Sequence, residues 1–394
     1  MKRMTASEKE IFTKEISLFK PNLEIEQEIL RCTNKDQMSG HFEKYSDWLK
    51  NSGQTYLARL IQLNSKEYPT DSHTVEVLLG DYLADLNSSL KILHGFVHSV
   101  TLLETKSAEF YLKILFARPI ARLIREIRLN EVMNFENGES QITSVLTNFE
   151  GIKNIQSLAL EASCEDDSWS QKAPLGDLQV LLSKMSSLEY LYLKSSSSPH
   201  KDEDDPYFNC ETKIGVLNLP LLKKYTRRSS DLSVTELKEL SESSLNSLEE
   251  LVLIGGEESG LTSTDFDIFF NSKIFQKINS IGLCRFKKSE EILNVLIGKP
   301  FFKNVKILAL NGGDLSDSSI EFFEKNKASF LSITKLDFSE NLFSEDGLVM
   351  LENIFKKARF SGQRSEYSEY YYQDALYQEA YSLENEREKE EDNF

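Results

Sequence analysis

Apolar residues return along this chain in one fixed triplet, aliphatic-x-x-aliphatic-x-aliphatic, and they do so nine times. The first four are Val97-Val100-Leu102, Ile124-Ile127-Leu129, Ile155-Leu158-Leu160 and Leu188-Leu191-Leu193. Leu222-Tyr225-Arg227, Leu248-Leu251-Leu253, Ile278-Ile281-Leu283, Val305-Leu308-Leu310 and Ile333-Leu336-Phe338 follow. Successive starts are 26 to 34 residues apart, the period of a supersecondary repeat. Alternation within the triplet predicts a short strand with its apolar side chains on one side, and each unit must stack on neighbours to bury them. Arg227 breaks the rule at the third position of its triplet, which predicts a shifted or distorted strand there.

Residues 1–95 lack the triplet and read as helical. Ile11, Glu15, Leu18, Ile25 and Ile29 keep helical spacing, and Phe42, Tyr45, Trp48 and Leu49 fall at i, i+3, i+6 and i+7. Thr5 to Glu8 supplies a helix start. Such a segment is expected to cap the open apolar edge of the first repeat, with Trp48 as its core anchor. At the other end, residues 361–394 change character. Tyr370, Tyr377 and Tyr381 fall on one helical stripe with Tyr367 beside it, and an acidic run from Glu384 to Asp392 follows, a composition expected to be partly disordered.

The triplet pattern resembles leucine-rich repeats, in which a turn residue and a returning helix follow each strand. The longer form L-x-x-L-x-L-x-x-N-x-L is matched by Ile333, Leu336, Phe338, Asn341 and Phe343, and the Val305 unit places Gly313 and Leu315 at the last two positions. Repeat length and the helical stretches 317–325 and 345–357 are similar to the ribonuclease-inhibitor-like class. Upstream, Tyr45-Ser-Asp-Trp-Leu49, Gly53, Ala58-Arg-Leu-Ile-Gln-Leu63 and His94-Gly-Phe-Val97 resemble the repeat-companion module that precedes such repeats in some bacterial proteins. The Asn-Pro-Asp segment usual in its first half is replaced by Lys20-Pro21-Asn22. The resemblance implies a bacterial α/β leucine-rich-repeat solenoid, a right-handed horseshoe with an N-terminal helical cap. Its expected divisions are a cap over 1–95, repeats over 96–360 and an acidic Tyr-rich tail over 361–394.

The formal net charge of −17 argues against nucleic acid or an anionic membrane as the main ligand, since both require a cationic footprint. Cys32, Cys164, Cys210 and Cys284 are widely spaced and form no C-x-x-C, which favours a reducing compartment over a disulfide framework or zinc site. Charge interrupts the first ten residues where a signal peptide needs an apolar run, and no stretch approaches the roughly 20 apolar residues of a membrane span. The expected location is cytoplasmic.

Candidate chemistry is sparse. His41, His73, His94, His98 and His200 make no ligand set with cysteines or carboxylates. The loop 195–206, with Asp202, Glu203, Asp204 and Asp205, is expected to be exposed and mobile, and it lacks the ligand order of a calcium loop. Gly255-Gly256 and Gly312-Gly313 follow strands but do not continue as phosphate-binding motifs, so repeat turns account for them. No cofactor, no metal and no catalytic residue is expected.

The informative positions alternate with the buried ones and point to the concave side. They are Glu126, Arg128, Asn130; Ser157, Ala159, Glu161; Tyr190, Tyr192, Lys194; Lys224, Thr226, Arg228; Glu250, Val252, Ile254; Ser280, Gly282, Cys284; Ile307, Ala309, Asn311; and Lys335, Asp337, Ser339. Tyr190, Tyr192, Lys194, Lys224 and Arg228 compose an aromatic and basic patch, and Arg and aromatics dominate interface energetics. Val252, Ile254, Gly282, Cys284, Ile307 and Ala309 compose an apolar run beside it. The expected function is a non-catalytic scaffold that binds a protein partner through Tyr190, Tyr192, Lys194, Lys224, Arg228, Glu250, Val252, Ile254 and Ile307. Two other readings stay open, an enzyme inhibitor of ribonuclease-inhibitor type and a GTPase-activating protein. The tail's Tyr stripe either folds back onto the patch as a displaceable plug or caps the last repeat.

Overall fold

The computed structural model describes residues 14–15, 18–32, 35–63, 90–93, 96–102, 108–130, 135–136, 139–162, 174–196, 211–229, 231–256 and 259–364. The tail beyond Arg364, most of the loop 195–206 and the helix start at Thr5 lie outside them. The chain separates into two compact units, residues 1–280 and 281–394.

The first unit opens with helices α1 (Leu23–Arg31), α2 (Lys35–Asn51) and α3 (Thr55–Leu63). Asn22 begins α1: its side-chain oxygen accepts from the Ile25 amide at 3.1 Å, satisfying a donor the first helical turn leaves open. On α2, Tyr45 and Leu49 are fully buried, whereas Trp48 is only half-buried. The anchor is therefore Tyr45, which stacks on Phe96 with ring centroids 5.5 Å apart. Its hydroxyl donates to the buried Glu26 carboxylate at 2.7 Å, and Arg122 grips both oxygens of that carboxylate at 3.1 to 3.2 Å. Arg125 donates to the Ile29 and Cys32 carbonyls, satisfying acceptors at the end of α1.

Strand β1 (Leu90–Leu93) pairs antiparallel with β2 (Phe96–Leu102), so the helical reading of 1–95 does not hold in its last residues. The physical reason is pairing: β1 covers the hydrogen-bonding edge that β2 would otherwise expose. From β2 the sheet is parallel through β3 (Glu126–Leu129), β6 (Ser157–Glu161), β7 (Tyr190–Lys194), β8 (Lys224–Arg228) and β9 (Glu250–Ile254). A short hairpin of β4 (Phe135–Glu136) and β5 (Glu139–Ser140) stands apart from it. Parallel neighbours need a crossover, and α4 (Ala108–Phe116), α5 (Gln141–Thr147), α6 (Gln179–Ser183), α7 (Val234–Ser241) and α8 (Ser263–Phe270) lie in these connections, whereas the one from β7 to β8 holds no helix among the described residues. Their inward residues, among them Leu112, Leu146, Leu182, Leu237 and Phe269, are buried.

Register is continuous across these strands. Val100, Ile127, Leu158, Leu191, Tyr225 and Leu251 align in one inward row. Leu102, Leu129, Leu160, Leu193, Arg227 and Leu253 align in the next. The distorted joint expected at Arg227 is absent, and the strand keeps its place with the guanidinium at 1% exposure. An ion pair with Glu236, near the start of α7, makes this possible. Arg227 also donates to the Ser195 and Arg228 carbonyls at 3.0 and 2.7 Å. Buried charge is tolerated when paired and hydrogen-bonded on every side. The cavity beside it measures only about 10 Å³, at the lower limit for one water.

The second unit, which begins within β10 (Ser280–Cys284), holds α9 (Ser289–Ile297), β11 (Ile307–Ala309), α10 (Ile320–Asn326), β12 (Lys335–Asp337), α11 (Glu345–Ile354) and β13 (Ala358–Arg359). β11, β12 and β13 are parallel, with Leu308 opposite Leu336 and Leu336 opposite Ala358. Asn341, at 0% exposure, donates to the Leu310, Phe338 and Ser339 carbonyls at 2.8 to 3.2 Å, which explains the asparagine of the longer repeat form. Helix starts are capped across coils: the Asp314 carboxylate accepts from the Lys288 and Ser289 amides at the head of α9. Asp317 accepts from the amide and hydroxyl of Ser344, the residue that caps α11. Gly312 has φ of 71°, a left-handed turn that favours glycine, as the turn reading of Gly312-Gly313 requires. A cluster of Phe323, Phe330, Phe338 and Phe355 closes the core, with ring centroids 4.9 Å apart for Phe323 and Phe338.

Three stability outcomes follow from these contacts. Arg227→Ala strands Glu236 in the interior and is expected to cost about 3–5 kcal/mol. The apolar double change Arg227→Leu/Glu236→Leu should recover most of that loss, both measured by urea unfolding. Asp314→Ala should cost about 1 kcal/mol, the usual worth of a helix cap.

Candidate functional site

In the first unit the side of the sheet opposite the core carries three rows of half-buried or exposed residues. The burial of β6, β7 and β9 alternates strictly, with every second residue buried. Ser99, Glu126, Ser157, Tyr190, Lys224 and Glu250 form the first row, and Thr101, Arg128, Ala159, Tyr192, Thr226 and Val252 form the second. Glu161, Lys194, Arg228 and Ile254 form the third. All the candidate residues read from the sequence except Ile307 thus share one surface, in adjacent strands and adjacent rows. Ile307 lies half-buried on β11 in the second unit.

The rows differ in chemistry. In the first, the Lys224 ammonium lies 5.9 Å above the Tyr190 ring centroid and 3.3 Å from a Glu250 oxygen, so that corner is balanced in charge. The second and third rows hold a cluster of Arg128, Glu161, Tyr192, Lys194 and Arg228. Glu161 divides its two oxygens, one 3.3 Å from Arg128 and the other 3.4 Å from Lys194. Ala159 stands beside Arg128 in the pairing register, and its small side chain leaves the guanidinium room to reach across to Glu161. Arg228 lies close enough to Tyr192 for its positive charge to act on the phenol. Among the described residues, Arg128, Lys194 and Arg228 thus gather around Glu161 on a chain that is strongly acidic as a whole.

The environment alters both titrating groups at its centre. Burial, followed by the charge of Arg228, lowers the Lys194 pKa below that of an ordinary lysine. Burial, with a smaller contribution from Glu161, pushes the Tyr192 phenol up to about 12. At neutral pH the hydroxyl is uncharged and retains its proton to donate.

Arg128 and Glu161 belong to this cluster although nothing in the sequence sets them apart from other outward positions. The signal available was positional: Glu161, Lys194 and Arg228 hold the same offset in successive triplets, one strand apart. The apolar run read beside the patch needs correction. Gly282 and Cys284 are buried with the rest of β10, and the Cys284 sulfur lies 2.9 Å from the Asn311 side-chain oxygen. Ser339 is buried as well, its hydroxyl 3.0 Å from that of Ser361. Only Val252 and Ile254 remain as half-exposed apolar neighbours of the cluster in the first unit.

Among the described residues no group of three histidines, cysteines or carboxylates is arranged to hold a metal ion. No described helix is long and apolar enough to cross a membrane.

No protein-family model matches the chain, and no curated protein matches it in sequence. Solved structures do resemble it. A protein from Bacteroides fragilis superposes with a TM-score of 0.54 at 17% identity, over 67% of this chain and 74% of that one. A leucine-rich-repeat protein of Leptospira interrogans matches at 15% identity and a TM-score of 0.28, over 66% of this chain and 53% of its own length. An internalin of Listeria monocytogenes matches at 14% identity and a TM-score of 0.28, over 75% and 94%. The repeat spacing, the parallel in-register strands and the returning helices give the fold of an α/β leucine-rich-repeat solenoid.

The raised phenol sets an alkaline dependence. A folded-state pKa above the unfolded value near 10 contributes stability below pH 10, and that contribution is lost as pH rises through about 12. The absorbance difference between wild type and Tyr192→Phe at 295 nm should therefore titrate near pH 12, well above an exposed tyrosine.

Proposed function

We propose that this leucine-rich-repeat solenoid is a non-catalytic scaffold that binds a protein partner through the outward face of β6, β7, β8 and β9. The observation that carries the reading is the concentration of Tyr190, Tyr192, Lys194 and Arg228 in adjacent rows beside Val252 and Ile254. Tyrosine and arginine supply large, directional contacts at interface centres, while a merely solvated face on so acidic a chain has no need of them. Parallel strands hold these residues on rigid backbone, so little ordering is required when a partner arrives. In the same reading residues 1–95 cap the repeats, 96–360 form them and 361–394 are an appended acidic tail. No observation singles out an inhibitory loop or an arginine acting on a nucleotide, so the inhibitor and GTPase-activator readings gain nothing from the geometry.

The test is site-specific. A photo-crosslinking residue at Thr226, in the middle row, should trap a protein in cells that express the chain. The same residue at Ile268, exposed on α8, should not trap it. Tyr192→Ala with Arg228→Glu should abolish the Thr226 product. Identical products from both positions, or a product indifferent to the double change, would reject the face.

A further inference from the structure

We propose that the cluster on this face is a receptor for a carboxylate, and that the partner presents an acidic peptide segment to Lys194 and Arg228. The inference rests on the binding face described above and adds the chemistry of its occupant.

Its first support is an imbalance of charge. Arg128, Lys194 and Arg228 stand around Glu161, and Glu161 already gives one oxygen to Arg128 and the other to Lys194. Arg228 has only the neutral Tyr192 phenol beside it, and among the described residues no carboxylate lies within ion-pair distance of it. A guanidinium offers five donors in a planar fork suited to both oxygens of a carboxylate. Its neighbours add to the demand: Lys194 lies partly buried beside like charge, and an anion between it and Arg228 would relieve that repulsion.

The second support is that the cluster already displays the contact it would repeat. Glu161 is held by one guanidinium and one ammonium, Arg128 and Lys194, on neighbouring strands. Lys194 and Arg228 sit side by side in the register of β7 and β8, the same kind of pair one strand further along. An acidic side chain entering from the partner would meet an arrangement of the same type, with the Tyr192 hydroxyl as a further donor.

The third support concerns which anion fits. Three cations cannot offset the repulsion between a chain of net charge −17 and a polyanion carrying one phosphate per nucleotide. One or two carboxylates flanked by apolar residues meet no such barrier, and Val252 and Ile254 adjoin the cluster to receive the apolar flank.

The experiment uses a fluorescein-labelled octapeptide of alternating glutamate and leucine, with glutamine and lysine counterparts, read by fluorescence anisotropy on the full chain at low ionic strength. The wild type should bind the glutamate peptide at least about tenfold more tightly than the glutamine peptide. Lys194→Glu/Arg228→Glu should reverse the preference towards the lysine peptide, and the milder Arg228→Gln should weaken glutamate binding without that reversal. The equal-charge control Lys153→Glu/Lys238→Glu, on exposed crossover positions of the first unit away from the strands, should leave glutamate binding within about twofold, since neither side chain belongs to the outward rows. Melting curves for each variant confirm that the fold is retained. The proposal is overturned if the wild type binds no glutamate peptide, if the control variant loses as much binding as the cluster variant, or if a single-stranded oligonucleotide competes equally. A Thr226 crosslink that persists while the glutamate peptide fails to bind would keep the face and reject the carboxylate.

Discussion

Backbone hydrogen bonding between parallel, in-register strands is the constraint on which the rest depends. Each coil exposes an apolar row that it cannot cover alone, and pairing with the next strand aligns that row with its neighbour. Alignment has a second effect. Because side chains alternate, fixing the inward rows also fixes the outward ones, and residues about thirty positions apart in sequence become lateral neighbours. Glu161, Lys194 and Arg228 meet for this reason alone. No local motif brings them together.

The same constraint explains how the sheet carries a charged residue in its core. At Arg227 a change of register would have turned Tyr225 and the rest of the strand outward, losing the apolar row. Keeping the register and supplying Glu236 from the following helix costs less, since the pair is hydrogen-bonded to the Ser195 and Arg228 carbonyls as well. Arg227 and Arg228, adjacent in sequence, therefore have opposite fates. One is spent inside on a helix, and the other is displayed beside Tyr192.

Much of this was legible in the sequence where a period carried it. The triplets placed the strands, and the alternation within them placed Tyr190, Tyr192, Lys194 and Arg228 on one surface. What escaped had no period. β1 is a single antiparallel partner outside the repeat, and the ion pair that rescues Arg227 depends on a glutamate nine residues away in the next helix. The burial of Gly282, Cys284 and Ser339 depends on packing around those strands, which alternation cannot report. Trp48 misled because size and aromaticity suggest an anchor, whereas the helix turns Tyr45 and Leu49 inward and leaves the indole at the margin. Arg128 and Glu161 were visible as outward residues, but their partnership needs the diagonal reach that Ala159 permits.

Coil lengths vary between 26 and 34 residues while strand register does not. The difference is absorbed entirely away from the sheet, in the crossovers. Lengthening or trimming a crossover would therefore alter the circumference of one coil and leave the spacing of the displayed side chains untouched. The displayed side chains and the bulk of the molecule can change independently, so a substitution at Tyr192 or Arg228 alters the outward face without reopening the question of how the chain folds.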